Sequence, residues 1–272
     1  MNILVPMDFS KEAENAKEFA SAVAKLTEGK IIFLYAAPPV YNFASVAEES
    51  AIAVVRRAKG LMRKYVKELE SQGIRGSYST VEDNLGSAIE SMLILDEIDI
   101  IVMGTKGATG IKKVLMGSNA SEIFKETAIP VLLVPFESSY NKLEKIVITM
   151  EYAEAAPKYI GEILKLTKEW GLPYEILHFN SADSDELDDF KVQHIKVLEE
   201  TYPGTSFGLT SRFSSTVQEG LKQFQDEHPE AMLVMLSSHK TLLEKFFSKS
   251  DTAQMVYHPD LPLLVIKEDF IN

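Results

Sequence analysis

The chain has 272 residues, of which 46% are hydrophobic and 25% are charged, a balance typical of globular proteins with one large domain or two of ordinary size. Its formal net charge is -12 and it contains no cysteine, which excludes disulfides and thiolate chemistry and disfavours non-specific nucleic-acid binding. No apolar run reaches the roughly 18 residues of a membrane helix, and the first residues do not form a signal peptide. We therefore expect a cytoplasmic protein with no nucleic-acid and no membrane partner.

Short apolar runs alternate with amphipathic stretches along the first half of the chain. The predicted strands are Ile3–Met7, Ile31–Ala36, Ser77–Val81, Ile100–Met103 and Val131–Val134. The predicted helices between them are Lys11–Leu26, Ala47–Gln72, Leu85–Leu95 and Ser118–Thr127. Short strands rich in Val, Ile and Leu and separated by helices are typical of a parallel sheet buried on both faces. The pattern predicts a doubly wound α/β domain of Rossmann-like architecture.

The same pattern then begins again. The segment Lys145–Glu151 is similar to Asn2–Asp8, an offset of 143, whereas an offset of 132 carries Ile100–Met103 onto Met232–Met235. The second half has therefore lost about eleven residues between these two points. We predict two tandem domains of one fold, residues 1–138 and 143–272, each with a five-stranded, mainly parallel sheet flanked by helices.

A loop rich in glycine follows the fourth predicted strand. Gly104 and Gly107 are followed, after nine further residues, by Gly117, Ser118 and Asn119 at the start of a predicted helix. Glycine lets the backbone come close to a ligand, and a helix N-terminus offers unpaired N–H groups and the positive end of the helix dipole. The spacing is neither that of a Walker loop nor that of the dinucleotide fingerprint. It predicts a phosphate-binding loop of another kind.

This spacing, G-x2-G-x9-G-S, together with Pro6-Met7-Asp8-Phe9-Ser10 and Leu34-Tyr35-Ala36-Ala37, resembles the ATP-binding signature of the universal stress protein family in its tandem, two-domain form. The resemblance implies an adenine nucleotide α-hydrolase-like fold with ATP and Mg²⁺ in the N-terminal domain. It also implies an intramolecular pseudo-dimer in which the fifth strands meet, and it leaves a further homodimer open. The nucleotide contacts that it implies are Pro6, Asp8, Ala36, Met103, Gly104, Gly107, Gly117, Ser118 and Asn119.

Two of the predicted roles have structural alternatives. Asp8 would accept a hydrogen bond from a ribose hydroxyl or the adenine amino group, or it would cap the helix beginning near Lys11, for which Ser10 is equally suited. Three lysines border the glycine loop and would either pair with phosphates or stand in solvent. They are Lys106, Lys112 and Lys113.

The second half lacks the glycines of the loop. The 132-residue offset places Leu236, His239 and Lys249 at the three glycine positions, and Ser118 alone keeps its identity, as Ser250. Side chains at these positions obstruct the close approach that phosphates require. We therefore predict that the second domain does not bind ATP in the manner of the family and is structural or regulatory.

Together these patterns predict an ATP-binding stress-response regulatory protein, with an adenine nucleotide in the N-terminal domain and an unknown protein partner. The sequence positions no catalytic residue and no metal ligand set, so we expect at most slow ATP hydrolysis. A slow ATPase and a ligand-free interaction scaffold are the alternative functions.

Overall fold

The computed structural model describes residues 1–37, 45–105, 123, 127–149, 157–180, 195–214, 216–237, 261–267 and 270; for residues 45–51, 180, 218, 236 and 237 the backbone alone is described. The described chain divides into two compact units, Met1–Tyr140 and Asn141–Asn272. Both have the α/β architecture with a parallel central sheet that the sequence predicts.

In the first unit the sheet has the strand order β3-β2-β1-β4-β5, and every pair is parallel. The strands are β1 (Asn2–Pro6), β2 (Lys30–Ala36), β3 (Arg75–Val81), β4 (Ile100–Gly104) and β5 (Val131–Val134). The helices are α1 (Lys11–Leu26), α2 (Ser45–Ser71) and α3 (Leu85–Leu95). The predicted bounds of α1, α3 and β5 agree with these, and each of the other elements differs by one or two residues at one or both ends. The predicted helix Ser118–Thr127 lies mostly outside the described residues.

Helix α1 forms because its first turn is capped and its inner face is small. The side chain of Ser10 accepts a hydrogen bond from the amide of Ala13, and two acidic residues lie in the first turn, where they suit the helix dipole. Alanines at positions 13, 16, 20 and 24 and the side chains of Phe19 and Val23 are buried. This narrow inner face lets α1 lie close to strands β1 and β4, against which it packs.

In the second unit the strand order is β10-β9-β6-β7-β8, and the described pairs are again parallel. The strands are β6 (Lys145–Thr149), β7 (Tyr174–Asn180), β8 (Phe207–Phe213), β9 (Ala231–Ser237) and β10 (Leu263–Lys267). The two helices with defined bounds are α4 (Pro157–Thr167) and α5 (Val217–Glu227). The order mirrors that of the first unit strand for strand.

Strand register reproduces the offsets found in the sequence. Ile3 pairs with Ile100 in the first unit, and their counterparts at offsets of 143 and 132, Ile146 and Met232, pair in the second. The residues missing from the second unit lie in one connection. Residues 37–74, 38 in number, join β2 to β3, whereas the 26 residues 181–206 join β7 to β8. The long helix α2 occupies the longer of these two connections.

None of the helices in the described part of the chain combines the length and the apolar character needed to cross a membrane.

Candidate functional site

The candidate site of the first unit lies at the carboxyl ends of β1, β2 and β4. The chain runs outward from β1 to β2 and β3, and then crosses back to place β4 on the other side of β1. Such a reversal of strand order leaves a crevice at the carboxyl edge of a parallel sheet, where ligands of doubly wound folds bind. The described site residues predicted from the sequence follow these three strands.

The central strand ends before its neighbours do. Its ladder with β2 runs from Asn2↔Lys30 to Pro6↔Leu34, but its ladder with β4 has only the pairs Ile3↔Ile100 and Leu4↔Ile101. The alternation of the ladder directs the backbone of Pro6 toward β4. Since proline has no N–H to donate, the ladder with β4 stops there.

Two neighbouring backbones border the gap left by β1. The amide of Ala37 donates to Val81 O, and the amide of Thr105 donates to Val134 O. Because successive residues of a strand face opposite neighbours, the N–H and C=O groups of Ala36 and Gly104 face β1 instead. Both residues lie at or beyond the level at which β1 has ended. The strand end therefore forms a notch, the gap between Ala36 and Gly104, lined by backbone donors and acceptors.

Asp8 lies at the entrance of this notch. It is exposed, and its Oδ1 accepts hydrogen bonds from the amide (2.9 Å) and the hydroxyl (2.5 Å) of Ser10. The hydroxyl oxygen of Ser10 in turn accepts from the amide of Ala13 (3.2 Å), so Ser10 and not Asp8 is the N-cap of α1. The second carboxylate oxygen, Oδ2, has no hydrogen-bond partner within the described part of the chain and is free to accept one from a ligand.

An aromatic cluster fixes the turn that follows Asp8. Phe9 has a left-handed backbone, with φ of 61°, a conformation that few bulky residues adopt. Its ring lies 5.5 Å from that of Tyr35 and 6.3 Å from that of Tyr65. These contacts offset part of the cost of the left-handed turn. The sequence predicted none of the three as a site residue: Phe9 and Tyr35 stood within the quoted motifs without a role, and Tyr65 lay in a predicted helix.

Ion pairs and a hydrogen bond next to Tyr65 join α1 to α2. Lys17 is nearly buried and lies 3.0 Å from Glu18, 3.4 Å from Glu14 and 3.5 Å from Glu68, with its ammonium over the ring of Tyr65. Burial lowers the pKa of Lys17, but these carboxylates outweigh burial and leave the pKa above its usual value. The hydroxyl of Tyr65 donates to Glu14, and burial together with this carboxylate raises the pKa of Tyr65.

Gly104 is needed for packing as well as for any ligand. A Cβ atom at this position would lie 2.4 Å from the carbonyl oxygen of Glu12 and 2.5 Å from its carbonyl carbon. These are backbone atoms of the first turn of α1, so no side-chain rotation relieves the contact. The sequence predicts a glycine here for close approach of phosphates; the structure adds the close approach of α1.

The structure brings five of the predicted residues to one edge of the sheet: Pro6, Asp8, Ala36, Met103 and Gly104. Pro6 and Met103 are buried. The other predicted contacts and the three loop lysines lie outside the described residues: Gly107, Gly117, Ser118, Asn119, Lys106, Lys112 and Lys113. Of the second-unit counterparts, Leu236 lies in β9, opposite Ile266, whereas His239, Lys249 and Ser250 lie outside the described residues.

The part of the chain that the structure describes holds no group of three His, Cys, Asp or Glu side chains able to bind a metal ion. A cation at the notch would therefore have to be coordinated by the ligand or by residues beyond the described ranges.

Comparison with known proteins gives one consistent answer. Residues 1–135 match the model of the universal stress protein family. The chain is 26% identical over 136 residues to universal stress protein MJ0531 of Methanocaldococcus jannaschii, which covers 48% of this chain and 80% of the relative. It is 28% identical over 155 residues to universal stress protein MJ0577 of the same organism, which covers 50% of this chain and 96% of the relative.

A solved structure resembles the chain over nearly its whole length. The crystal structure of a universal stress protein from Archaeoglobus fulgidus DSM 4304 superimposes with a TM-score of 0.76 at 17% identity and covers 98% of each chain. At this identity the likeness shows the fold. It extends the doubly wound fold to both halves of the chain.

Proposed function

We propose, for a chain that belongs to the universal stress protein family through its residues 1–135, a regulatory function in which the first unit binds ATP with Mg²⁺. The nucleotide-bound state would be recognised by a protein partner in the cytoplasm during a stress response. The second unit would serve as a structural or regulatory partner within an intramolecular pseudo-dimer, and a further homodimer stays open.

The observation that supports this proposal is the notch at the end of β1. The backbone of Ala36 offers an N–H donor beside a C=O acceptor, and that pair is complementary to the N1 and amino edge of adenine. The guanine edge has the opposite arrangement, so this contact favours adenine nucleotides. Gly104 contributes a second backbone pair across the notch.

Asp8 would select the sugar. Its Oδ1 is engaged with Ser10, so the turn is already in place before a ligand arrives, and Oδ2 is left to accept a hydrogen bond from a ribose hydroxyl. Phosphates would then extend toward Gly107, Gly117, Ser118 and Asn119, as the sequence predicts. Magnesium would reach the site on the phosphates, because the described residues supply no ligand set of their own.

Calorimetric titration of ATP tests the proposal. We expect one site per chain, abolished by Gly117→Val, weakened about tenfold or more by Asp8→Asn because a charged acceptor is lost, and weaker for GTP than for ATP. Asp8→Asn keeps an oxygen for Ser10 and so preserves the turn. Glu97→Gln is the matched control, since Glu97 is exposed and its replacement changes the net charge by the same amount.

Absence of heat with the wild-type protein would contradict nucleotide binding and favour the scaffold alternative. Two sites per chain would contradict the assignment to the first unit alone. Release of phosphate over hours, measured on the same samples, would identify the slow ATPase alternative.

A further inference from the structure

The outer face of α2 is a concentrated positive surface on an acidic protein. Between residues 52 and 67 the helix has six basic residues and no acidic residue. All six side chains are exposed. They are Arg56, Arg57, Lys59, Arg63, Lys64 and Lys67.

These residues lie opposite the face that packs on the sheet. The buried positions of the helix are Ala58, Met62, Tyr65 and Leu69, which follow one another at the spacing of a single helical stripe. The basic positions occupy the remaining circumference, and from Arg56 to Lys67 they span about 17 Å at 1.5 Å per residue. The result is one continuous cationic face along about three turns of the helix.

Few of these charges are used within the fold. The Nε atom of Arg63 donates to the hydroxyl of Tyr78 at 3.1 Å. The other five basic side chains form no ion pair with any side chain that the structure describes. Acidic residues occur on the helix only beyond the two ends of the face, at Glu48, Glu49, Glu68 and Glu70. The charges therefore repel one another with little internal compensation, a cost that binding of an anionic partner would remove.

The face also carries apolar surface and belongs to the first unit alone. Ile52, one turn before Arg56 on the same side of the helix, is 53% exposed. The corresponding connection of the second unit is 12 residues shorter, 26 against 38, and the offset of 132 places Asp188, Asp189 and Glu199 at the positions of Arg56, Arg57 and Lys67. Gly60 lies in the middle of the cationic face, and a Cβ atom there would meet nothing within 4 Å, so a partner can approach the helix closely at that point.

We propose that this cationic face of α2 is a docking surface for a short acidic segment of another protein, one that places an apolar side chain against Ile52. Charge selects the sign of the partner. The size of the surface favours a short segment. Outside the cationic face the protein is acidic, because the other 22 basic residues of the chain are outnumbered by 40 acidic ones. A bilayer or a nucleic-acid duplex would extend over that acidic surface and be repelled by it, since charges interact over about 8 Å at physiological ionic strength. A short segment contacts α2 alone.

The test is fluorescence anisotropy with a short fluorescein-labelled peptide of glutamate, alanine and leucine. We expect saturable binding that weakens as salt is raised. The triple variant Arg56→Glu, Lys64→Glu, Lys67→Glu should weaken binding about 30-fold or more. It leaves Arg63, which contacts Tyr78, in place, and circular dichroism checks that it is folded.

Two further variants separate a docking surface from general charge attraction. The control Lys158→Glu, Lys168→Glu, Lys222→Glu makes the same change of net charge at exposed positions of the second unit and should leave the affinity within about twofold of the wild type. Ile52→Ser should weaken binding several-fold at high salt as well as at low salt, because its contact is apolar.

Three results would overturn the proposal. The first is equal weakening by the control triple variant, and the second is no binding of the acidic peptide at all. The third is tighter binding, through the same three basic residues, to phosphatidylserine vesicles or to single-stranded RNA, which would assign the surface to a different partner.

Discussion

The two units share a fold and differ in how far the first strand pairs with the fourth. In the first unit β1 reaches Pro6 and forms two pairs with β4. In the second unit the position corresponding to Pro6, at the offset of 143, is Thr149, and β6 forms five pairs with β9, from Lys145↔Ala231 to Thr149↔Met235. Threonine has the N–H that proline lacks, so the ladder between these two strands continues to Thr149, the last residue of β6.

A second difference follows on the neighbouring strand. Gly104 lies opposite Val134 in the first unit, and Leu236 lies opposite Ile266 at the corresponding place in the second. Only the first unit therefore combines a shortened ladder between the first and fourth strands with a glycine at the end of the fourth strand. Two units with the same strand order can therefore differ in the backbone groups that they leave unpaired at the carboxyl edge of the sheet, and in these units the difference lies at two positions, Pro6 and Gly104.

Substitution of Gly104 should give the largest effect, and only in the first unit. We expect Gly104→Ala to lower the free energy of unfolding by about 1–3 kcal/mol, because the added Cβ would lie 2.4 Å from Glu12 O, and to abolish ATP binding by displacing α1 from β4. Urea unfolding followed by circular dichroism measures the first effect, and calorimetry measures the second.

Gly208 in β8, a strand glycine of the second unit, is the control position for this substitution. A Cβ atom there has its nearest neighbours at 3.6 Å, an ordinary contact, so Gly208→Ala should change the free energy of unfolding by less than about 0.5 kcal/mol. Equal losses of stability for the two variants would show that the close approach of α1 is not the reason for a glycine at position 104.

Each unit also holds a lysine among carboxylates, and the two lysines should differ in their contribution. Lys145 lies 2.9 Å from Glu175, and both side chains are less than one fifth exposed. The three acids around Lys17 are 37–67% exposed and can be hydrated without it. At pH 7 we expect Lys145→Met to cost about 1–3 kcal/mol and Lys17→Met less than about 1 kcal/mol.

The cost at Lys145 should depend on pH in one direction. Burial raises the pKa of Glu175, but hydrogen bonds from Thr210 and Lys145 outweigh it and hold the pKa below its usual value. A lowered folded-state pKa stabilises the fold above the unfolded-state value and ceases to do so as pH falls through the folded-state value. The difference between wild type and Lys145→Met should therefore shrink below about pH 4. Trp170, the chain's one tryptophan and 2% exposed, reports this unfolding by fluorescence; a difference that grows in acid would contradict the pairing.

The fold was predictable from the sequence because its strands are uniform apolar runs. Val131–Val134 matches β5 at both ends, and the two offsets found by similarity are those of the strand register. The prediction for β3 began at Ser77, two residues late, because Arg75 and Gly76 have low strand propensity while pairing with β2 holds them in the sheet.

The site was less predictable, since its decisive contacts are between residues distant in sequence. Nothing in the local pattern around Gly104 indicates the backbone of Glu12. Likewise, Pro6 was selected through a family resemblance, whereas its physical effect, the stop in the ladder with β4, depends on which neighbour its backbone faces. Helix packing sets the contact between Gly104 and Glu12, and strand order sets the neighbour that Pro6 faces. Neither leaves a periodic pattern in the sequence.

A small effect on stability, together with the most direct conversion of one unit into the other, should come from Pro6→Thr. In the second unit the hydroxyl of Thr149 donates to Val234 O at 3.1 Å, and the corresponding acceptor in the first unit is Val102 O. A threonine at position 6 would thus find a partner for its hydroxyl and supply an N–H to the ladder, so we expect the free energy of unfolding to stay within about 1 kcal/mol of the wild type. ATP binding should nevertheless weaken about tenfold, because extension of the ladder with β4 occupies the backbone groups that border the notch.

Thr149→Pro is the reciprocal control and should leave ATP binding unchanged. Unchanged affinity in Pro6→Thr would show that the length of the ladder between β1 and β4 does not matter for ATP binding, and Gly104 with the loop after it would then have to account for the whole difference.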